Sequence, residues 1–265
     1  MCIIHLIKII KTDYMKKIVI MGASSGIGLA CAEAFASRGV KVGLAARHTA
    51  PMEALKKKYP QCVEYAAIDI TRPEATGQLD ELIARLGGMN IYFHVAGIGC
   101  ENLTLEPERE VEILETNSCG FARMICAAYR YFRRNRIPGH IAAITSVAGT
   151  NGIGRLSAYS SSKAMAQKYL VALEQLSRSE GAEITFTDIR PGWIDTPLLK
   201  PHHRYPMEMD LDYAVPLIIK AIVRRPRVAV IDWRWNILVG LWRALPNCIW
   251  TRLSLEISQP DEPMP

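Results

Sequence analysis

Residues 18–28 read Ile-Val-Ile-Met-Gly-Ala-Ser-Ser-Gly-Ile-Gly, and this stretch decides the fold. Its first four residues are apolar, which predicts a short buried strand. Three glycines lie in the next seven residues, and a helix-length segment runs from residue 29 to residue 38, just before Gly39. Glycine permits a tight turn, and the free amides at the start of a helix bind phosphate groups. The stretch therefore predicts a strand, a phosphate-binding turn and a helix in succession.

Outward from this turn, β-rich runs alternate with helix-length segments along most of the chain. We predict strands at 18–21, 40–45, 62–68, 91–95, 141–145, 184–189 and 228–231. We predict helices at 29–38, 51–58, 73–86, 110–134, 158–178 and 211–223. This alternation is typical of a parallel sheet with helical crossovers. The 265 residues are predicted to form a single domain with a Rossmann-type doubly wound parallel sheet, a three-layer α/β/α fold.

The composition excludes disordered and fibrous classes, since 49% of the residues are hydrophobic and 22% are charged. The net charge of +6 is spread along the chain without a basic stripe interleaved with aromatic residues, so we expect no nucleic-acid partner. The seven scattered cysteines include no Cys-x-x-Cys pair and are typical of a reducing cytoplasm. The pair His202-His203 is more readily a polar loop pair than a metal site, so we predict no metal.

The glycine turn and the ends of the next strands predict a dinucleotide cofactor. Ser24 and Ser25 can add hydroxyl donors toward phosphate or ribose. The second strand ends at Arg47 without the carboxylate that binds a ribose 2′-hydroxyl, and a guanidinium suits a 2′-phosphate. NADP(H) is therefore favoured over NAD(H). Asp69 follows the third strand, where it could accept a hydrogen bond from the adenine amino group or cap the following turn.

Four polar residues farther along the chain are the candidates for catalysis: Asn117, Ser146, Tyr159 and Lys163. Tyr159 and Lys163 are four residues apart, one helical turn, and Ser146 lies thirteen residues before the tyrosine. Together with the glycine motif, they closely resemble the single-domain branch of the short-chain dehydrogenase/reductase family. The resemblance covers about residues 16–230. It implies an oxidoreductase that interconverts a carbonyl and a secondary alcohol with a nicotinamide cofactor.

These residue types suit proton transfer beside a hydride transfer. A hydride that reaches a carbonyl carbon leaves negative charge on the oxygen, which must then receive a proton. Tyr159 can donate that proton, and Lys163 on the same helix face should lower the pKa of the phenol from its free value of about 10. Ser146 would hold the substrate oxygen. By resemblance, Lys163 also binds the nicotinamide ribose, Asn117 anchors a water molecule, and Thr196 meets the nicotinamide carboxamide.

The expected contacts fall into two groups. We expect the cofactor to contact Gly22, Ser24, Ser25, Gly26, Ile27, Gly28, Arg47, Asp69, Ile70, Ala96, Gly97, Tyr159, Lys163, Pro191, Gly192, Ile194 and Thr196. We expect the substrate to contact Ser146, Tyr159, Gly152, Trp193 and Tyr205. Two positions depart from the pattern of the family: Met21 stands where a threonine is common, and His94-Val95 stands where two asparagines are usual. Neither departure removes a proton-transfer group.

The sequence divides the chain into three parts. Residues 1–14 form an apolar N-terminal extension that is too short to span a bilayer, and translation could begin at Met15. Residues 15–231 form the dinucleotide-binding oxidoreductase domain, with a short substrate lid at 197–209. Residues 232–265 form a Trp/Arg-rich C-terminal extension, split by Pro246 into two short helices, that packs on the domain or on a membrane surface.

Partners and alternative functions are also expected. By resemblance, helices 110–134 and 158–178 pair across a two-fold axis and give a homodimer or homotetramer. The segment 233–256 could make a peripheral membrane contact, so the predicted location is the cytoplasm, or the periphery of a membrane. Two alternatives stay open: a non-catalytic dinucleotide-sensing or scaffold protein on the same fold, and an NAD-dependent alcohol dehydrogenase.

Overall fold

A seven-stranded sheet lies at the centre of the computed structural model, which describes residues 16–199, 203–255 and 259–260. Its strands are β1 Lys17–Met21, β2 Lys41–Ala46, β3 Val63–Ala67, β4 Ile91–His94, β5 Gly139–Ile144, β6 Ile184–Arg190 and β8 Val228–Val230. All neighbours pair in parallel, in the order β3-β2-β1-β4-β5-β6-β8. The order reverses between β1 and β4, which makes their carboxyl ends a switch point where ligands bind in such sheets.

Two short strands, β7 His203–Arg204 and β9 Gln259–Pro260, pair antiparallel outside this sheet. The predicted extension 1–14 and His202 of the proposed histidine pair lie outside the described residues. The same is true of 256–258 and 261–265 in the predicted C-terminal extension.

Helices cover both faces of the sheet. Their bounds are α1 Gly26–Ala36, α2 Ala50–Lys58, α3 Ala75–Leu86, α4 Pro107–Leu114, α5 Phe121–Asn135, α6 Ser157–Ser179, α7 Leu211–Arg224, α8 Trp233–Ala244 and α9 Asn247–Trp250. Side chains of α1, α2, α7 and α8 belong to the apolar core on one face, and those of α3, α5 and α6 belong to the core on the other. The predicted three-layer α/β/α fold with a doubly wound parallel sheet is confirmed.

The sheet separates two cores because its central strands are apolar on both faces. In β1, Ile18 and Ile20 contribute to one core, whereas Val19 and Met21 contribute to the other. All four side chains are at most 1% exposed. Successive side chains of a strand point to opposite faces. An uninterrupted apolar run therefore fits only a strand that is covered on both sides.

The predicted helical stretch at 110–134 is helical throughout, but a π-helical turn divides it. Helix α4 ends at Leu114, a π-helical turn covers Glu115–Gly120, and α5 begins at Phe121. The reason lies in Asn117, a buried residue within the turn, whose side chain exchanges two hydrogen bonds with the backbone of Ile98. Such widened turns often occur at functional sites.

The C-terminal segment folds back onto the domain. Pro246 separates α8 from α9, as the sequence predicts. Asp232 caps α8, because its carboxylate accepts a hydrogen bond from the Arg234 amide at 2.9 Å. Trp235 and Val239 of α8 are buried in the core that α1 and α7 share. Among the described helices, none has the length and apolar character needed to cross a membrane.

Candidate active site

A cleft of about 530 Å³ opens at the carboxyl ends of the central strands. Of the predicted site residues, those that line it are Gly22, Ser24, Ser25, Gly26, Ile27, Arg47, Asp69, Ile70, Ala96, Gly97, Ser146, Tyr159, Lys163, Pro191, Gly192, Trp193, Ile194, Thr196 and Tyr205. Three predicted residues do not line it: Gly28, Asn117 and Gly152. The parallel order of the strands thus brings together residues that are far apart in the sequence.

The glycine turn after β1 excludes a side chain at two positions. Gly22 has a φ of 92°, and a Cβ there would lie 2.4 Å from the backbone nitrogen of Ala96. A Cβ on Gly28 would lie 2.0 Å from the carbonyl oxygen of Gly22. Gly28 therefore lets α1 pack against the turn from behind, while Gly22 faces the cleft. The amides at the start of α1 and the space over the turn suit a pyrophosphate.

Arg47 and Asp69 lie near each other at the ends of β2 and β3. The Asp69 carboxylate accepts hydrogen bonds from the amide and the hydroxyl of Thr71, at 3.0 and 2.7 Å. Burial raises the pKa of Asp69, but these bonds and the charge of Arg47 outweigh it, so the pKa lies below its ordinary value. Asp69 therefore caps the following turn, which is the second of its two predicted roles. The guanidinium of Arg47 is exposed at the edge of the cleft.

Ser146 and Tyr159 meet in the wall of the cleft. Ser146 follows β5, accepts a hydrogen bond from the amide of Ala148 at 3.1 Å and donates one to the carbonyl of Pro191 at 3.4 Å. Burial raises the pKa of Tyr159, and a hydrogen bond with Ser146 opposes part of that rise. Gly99 leaves room for the tyrosine ring, because a Cβ there would lie 2.5 Å from it. The phenol is therefore held protonated beside the serine hydroxyl.

Lys163 is buried one helical turn after Tyr159. Its Nζ donates to the carbonyl oxygen of Ile144 at 3.3 Å and lies 5.5 Å from the centroid of the Tyr159 ring. Burial lowers the pKa of Lys163 to about 8, although the charge of Asp188 acts in the opposite direction. We expected Lys163 to lower the pKa of Tyr159, but in this structure burial dominates and the pKa of the phenol is raised.

Asn117 connects the wall of the cleft to the catalytic helix. Its Oδ1 accepts from the amide of Ile98 at 2.9 Å, and its Nδ2 donates to the carbonyl of Ile98 at 2.7 Å and to Ser162 Oγ at 3.2 Å. Ser162 immediately precedes Lys163 on α6. A Cβ on Gly97 would lie 3.2 Å from Asn117 Oδ1 and 3.4 Å from Lys163 Nζ. Asn117 thus lies near the lysine without lining the cleft itself.

A buried charged network behind Lys163 was not predicted from the sequence. Asp188 accepts hydrogen bonds from Thr145 Oγ1 and from Arg190 Nε, the latter at 2.7 Å. The side chains of Asp188 and Arg190 are only 6% and 9% exposed. Two charged residues, Asp188 and Arg190, within a strand that is buried at both positions were the available signal. The carboxylate is the charge that opposes the lowering of the pKa of Lys163.

The substrate end of the cleft is mostly aromatic and aliphatic. The rings of Trp193 and Tyr205 lie 4.7 Å apart between centroids. Apolar residues outside the predicted set also line this end, namely Ile98, Ala148, Ile153, Leu156, Leu198, Leu199, Met207, Trp235, Leu238, Trp242 and Leu255. Four of them come from the C-terminal segment. The sequence predicted that this segment packs on the domain or on a membrane surface, but none of its residues was predicted to line the site.

Gly152, a predicted substrate contact, does not line the cleft. This glycine is exposed, and its carbonyl oxygen accepts a hydrogen bond from Nε1 of Trp250 at 2.7 Å. The next residue, Ile153, is buried and lines the cleft instead. Trp250, from α9, thus ties down the loop that contains Gly152. A contact between residues 98 positions apart gives no local signal in the sequence.

A comparison with known proteins agrees with this geometry. Residues 16–205 match the family model described as short chain dehydrogenase. The chain belongs to the short-chain dehydrogenase/reductase family. It is thus an oxidoreductase, from a family whose members bind nicotinamide dinucleotides. An uncharacterized oxidoreductase of Myxococcus xanthus is 32% identical over 86% of this chain and 92% of its own length.

Solved structures of the family resemble the fold closely. A short chain dehydrogenase from Burkholderia cenocepacia in complex with NADP has a TM-score of 0.76 and 22% identity, covering 91% of this chain and 98% of the other. An alcohol dehydrogenase from the archaeon Thermococcus sibiricus, complexed with 5-hydroxy-NADP, has a TM-score of 0.68 and 26% identity. That alignment covers 82% of this chain and 95% of the archaeal chain.

Proposed function

We propose that the chain is an NADP(H)-dependent oxidoreductase that interconverts a carbonyl and a secondary alcohol, with Tyr159 as the general acid and base. The observation that carries the proposal is the meeting of Tyr159 with Ser146 in a cleft whose other end is the glycine turn. The free amides at the start of α1, beside the glycine turn that lines the cleft, suit the pyrophosphate of a dinucleotide. The cofactor, when bound, supplies or accepts the hydride.

The residues of the chain supply the proton and the positioning. Ser146 donates a hydrogen bond to the substrate oxygen and fixes its place beside the phenol. Tyr159, held protonated by burial, donates its proton to that oxygen as negative charge develops on it. Lys163 has a pKa of about 8, within reach of neutrality, so it can pass a proton back to the phenolate. Asn117 fixes the position of α6 relative to the loop at Ile98, because its side chain makes two hydrogen bonds to Ile98 and one to Ser162.

A preference for NADP(H) over NAD(H) is part of the proposal. Arg47 is exposed at the end of β2 beside the cleft, where a guanidinium can bind a 2′-phosphate in bidentate fashion. Residues 45–48 contain no Asp or Glu whose carboxylate could bind the 2′-hydroxyl of an NAD ribose. The complex of the alcohol dehydrogenase from Thermococcus sibiricus with 5-hydroxy-NADP supports the same choice.

The substrate is proposed to carry a bulky apolar group next to the carbonyl. Most residues at the substrate end are aliphatic or aromatic, and Trp193, Trp235 and Trp242 supply three indole rings. Polar substrates would lose hydration against such a wall without new hydrogen bonds in return. Large apolar ketones, in contrast, gain from burial of their surface.

The proton-transfer role is tested by Tyr159→Phe. We expect kcat for NADPH oxidation with apolar ketones to fall roughly 10²–10⁴-fold, the usual contribution of a positioned acid. Tyr169→Phe is the matched control, because Tyr169 lies on the same helix but does not line the cleft. If Tyr159→Phe keeps wild-type kcat, the role of the tyrosine is refuted. If no carbonyl compound is turned over, the non-catalytic sensing or scaffold alternative replaces the enzyme.

The cofactor preference is tested by Arg47→Ala. A charged hydrogen bond contributes about 1.5–3 kcal/mol, so the Kd for NADPH should rise roughly 10- to 150-fold while that for NADH stays unchanged. Arg72→Ala is the control, since Arg72 also lies beside Asp69 but outside the lining of the cleft. Equal affinities of the wild type for NADPH and NADH would favour the alternative NAD-dependent alcohol dehydrogenase.

A homodimer or homotetramer is also proposed, formed through α4, α5 and α6. Exposed apolar residues on α4 and α6 support it, namely Val111, Leu114, Val171 and Leu176, which are 51, 39, 38 and 42% exposed. Light scattering on Val171→Asp/Leu176→Asp should then give a smaller mass than the wild type. The boundaries 1–14, 15–231 and 232–265 and a cytoplasmic location stay predictions.

A further inference from the structure

Helix α8 is apolar on two opposite sides. Its inner side is buried at Trp235 and Val239. On its outer side, Trp233, Ile237 and Leu241 are 68, 58 and 60% exposed. These three are spaced four residues apart, so they lie above one another on a single face. An apolar helix face is normally packed against another element, yet among the described residues nothing covers this outer face.

The same pattern continues past Pro246. In and after α9, Trp250 is buried, whereas Ile249 and Leu253 are 45 and 46% exposed. We call the five exposed residues Trp233, Ile237, Leu241, Ile249 and Leu253 the apolar ridge. Large exposed apolar surfaces of this kind mark interaction sites.

Positive charge accompanies the ridge. Residues 233–255 contain three arginines, Arg234, Arg243 and Arg252, and no Asp or Glu. Arg234 pairs with Asp232 just before the segment. Arg243 and Arg252 are exposed, and no ion pair joins either of them to another residue in the part of the chain that the structure describes. The segment therefore offers two free cations next to an apolar face.

We propose that the apolar ridge docks on the surface of an anionic lipid bilayer, with Arg243 and Arg252 contacting the headgroups. Aliphatic side chains and an exposed tryptophan enter the boundary between headgroups and acyl chains, and arginines are attracted to anionic lipids. The surface potential of such a bilayer complements the charge of the segment. This is a contact in the plane of the interface, not a span.

A second copy of the chain fits this surface less well. In a two-fold contact the same patch faces itself on both subunits. Two patches that each carry Arg243 and Arg252 would then face one another, with no carboxylate in residues 233–255 of either copy to neutralise them. Like charges brought together in an interface are unfavourable. An anionic bilayer has the opposite charge and no such conflict.

The ridge is close to the cleft. Leu238 and Trp242 line the cleft from α8, the same helix that carries Ile237 and Leu241 outward. A helix with its side chains is about 10–12 Å across. A docked bilayer therefore lies about one helix width from the substrate end. Docking itself does not depend on the proposed reaction, since it rests on surface residues alone.

Vesicle flotation of the full chain tests the proposal. Wild type should float with vesicles of phosphatidylcholine mixed with phosphatidylglycerol and much less with phosphatidylcholine alone. Ile237→Ser/Leu241→Ser should weaken the partition coefficient roughly 30-fold, because two half-exposed aliphatic side chains no longer insert. Arg243→Gln/Arg252→Gln should weaken it about fivefold per arginine, and only on the anionic vesicles.

The matched control is Leu103→Ser/Leu105→Ser, which removes two leucines that are 63 and 60% exposed outside α8 and α9. This variant should float like the wild type. The proposal is overturned if the wild type does not float with anionic vesicles, or if the control loses as much binding as the ridge variant. It is also overturned if light scattering without lipid shows that Ile237→Ser/Leu241→Ser halves the mass of the particle, since a second copy then covers the ridge.

Discussion

Replacing Lys163 with methionine should stabilise the fold while it removes the proposed activity. The lysine is 7% exposed, and its ammonium loses hydration in the folded chain. Burial accordingly lowers the pKa of Lys163 from 10.5 to about 8. Methionine has a similar length and no charge, so it fills the same space without that penalty.

The size of the effect follows from the two pKa values. The pKa in the folded chain lies below the unfolded value, so between about pH 8 and 10.5 the unfolded chain binds more protons and the stability of the wild type rises with pH. At pH 7 the charged lysine costs the folded state about 3 kcal/mol, and at pH 10 about 1 kcal/mol. Loss of the hydrogen bond to Ile144 offsets about 1 kcal/mol of the gain.

Differential scanning calorimetry measures the result. At pH 7 the net gain of about 2 kcal/mol should raise the Tm of Lys163→Met by roughly 4–8 °C, given 2–4 °C per kcal/mol for a chain of this size. The gain should vanish near pH 10. Lys168→Met, an exposed lysine on the same helix, should change the stability by less than about 0.5 kcal/mol at both pH values. A lower Tm for Lys163→Met at pH 7, or an equal shift at both pH values, would refute the reasoning.

Two further substitutions should weaken the fold. Asp188→Asn leaves the buried Arg190 without its counter-charge, so urea unfolding should show a loss of about 3 kcal/mol; a loss below about 1 kcal/mol would contradict a charged network there. Gly22→Ala combines a φ of 92° with a Cβ 2.4 Å from the Ala96 nitrogen and should cost roughly 2–4 kcal/mol. Gly39→Ala is the control, because Gly39 has a φ of 79° but no atom within 4 Å of the added Cβ, so this variant carries only the backbone strain. It should lose less unfolding free energy than Gly22→Ala; equal losses would show that the contact with Ala96 contributes nothing.

The cofactor end of the fold could be predicted from the sequence because its determinants are local. The strand at 18–21 and the glycines after it are adjacent in the chain, and each gives its own signal. Strands covered on both faces are rich in apolar residues, and this enrichment was enough to place all seven strands of the central sheet. The parallel order then brings Ser146, Tyr159 and Lys163 to the same edge without any further information.

The details that sequence reasoning missed depend on distant contacts. The π-helical turn at Glu115–Gly120 is tied to hydrogen bonds between Asn117 and Ile98, nineteen residues apart. The carbonyl oxygen of Gly152 is bound by Trp250, across 98 residues. The raised pKa of Tyr159 reflects burial, which exists only once the cleft has formed. Neither spacing nor residue type contains this information.

Part of the substrate end lies beyond the residues that match the family model. The family match ends at residue 205, whereas Trp235, Leu238 and Trp242 of the cleft wall come later. A Cβ on Gly192 would lie 2.0 Å from the Trp235 ring, so the C-terminal segment packs directly against the loop after β6. Family membership can therefore predict the reaction but not the substrate. The same helix that forms this wall carries three residues of the apolar ridge on its outer side, so the proposed substrate preference and the proposed membrane docking depend on one segment.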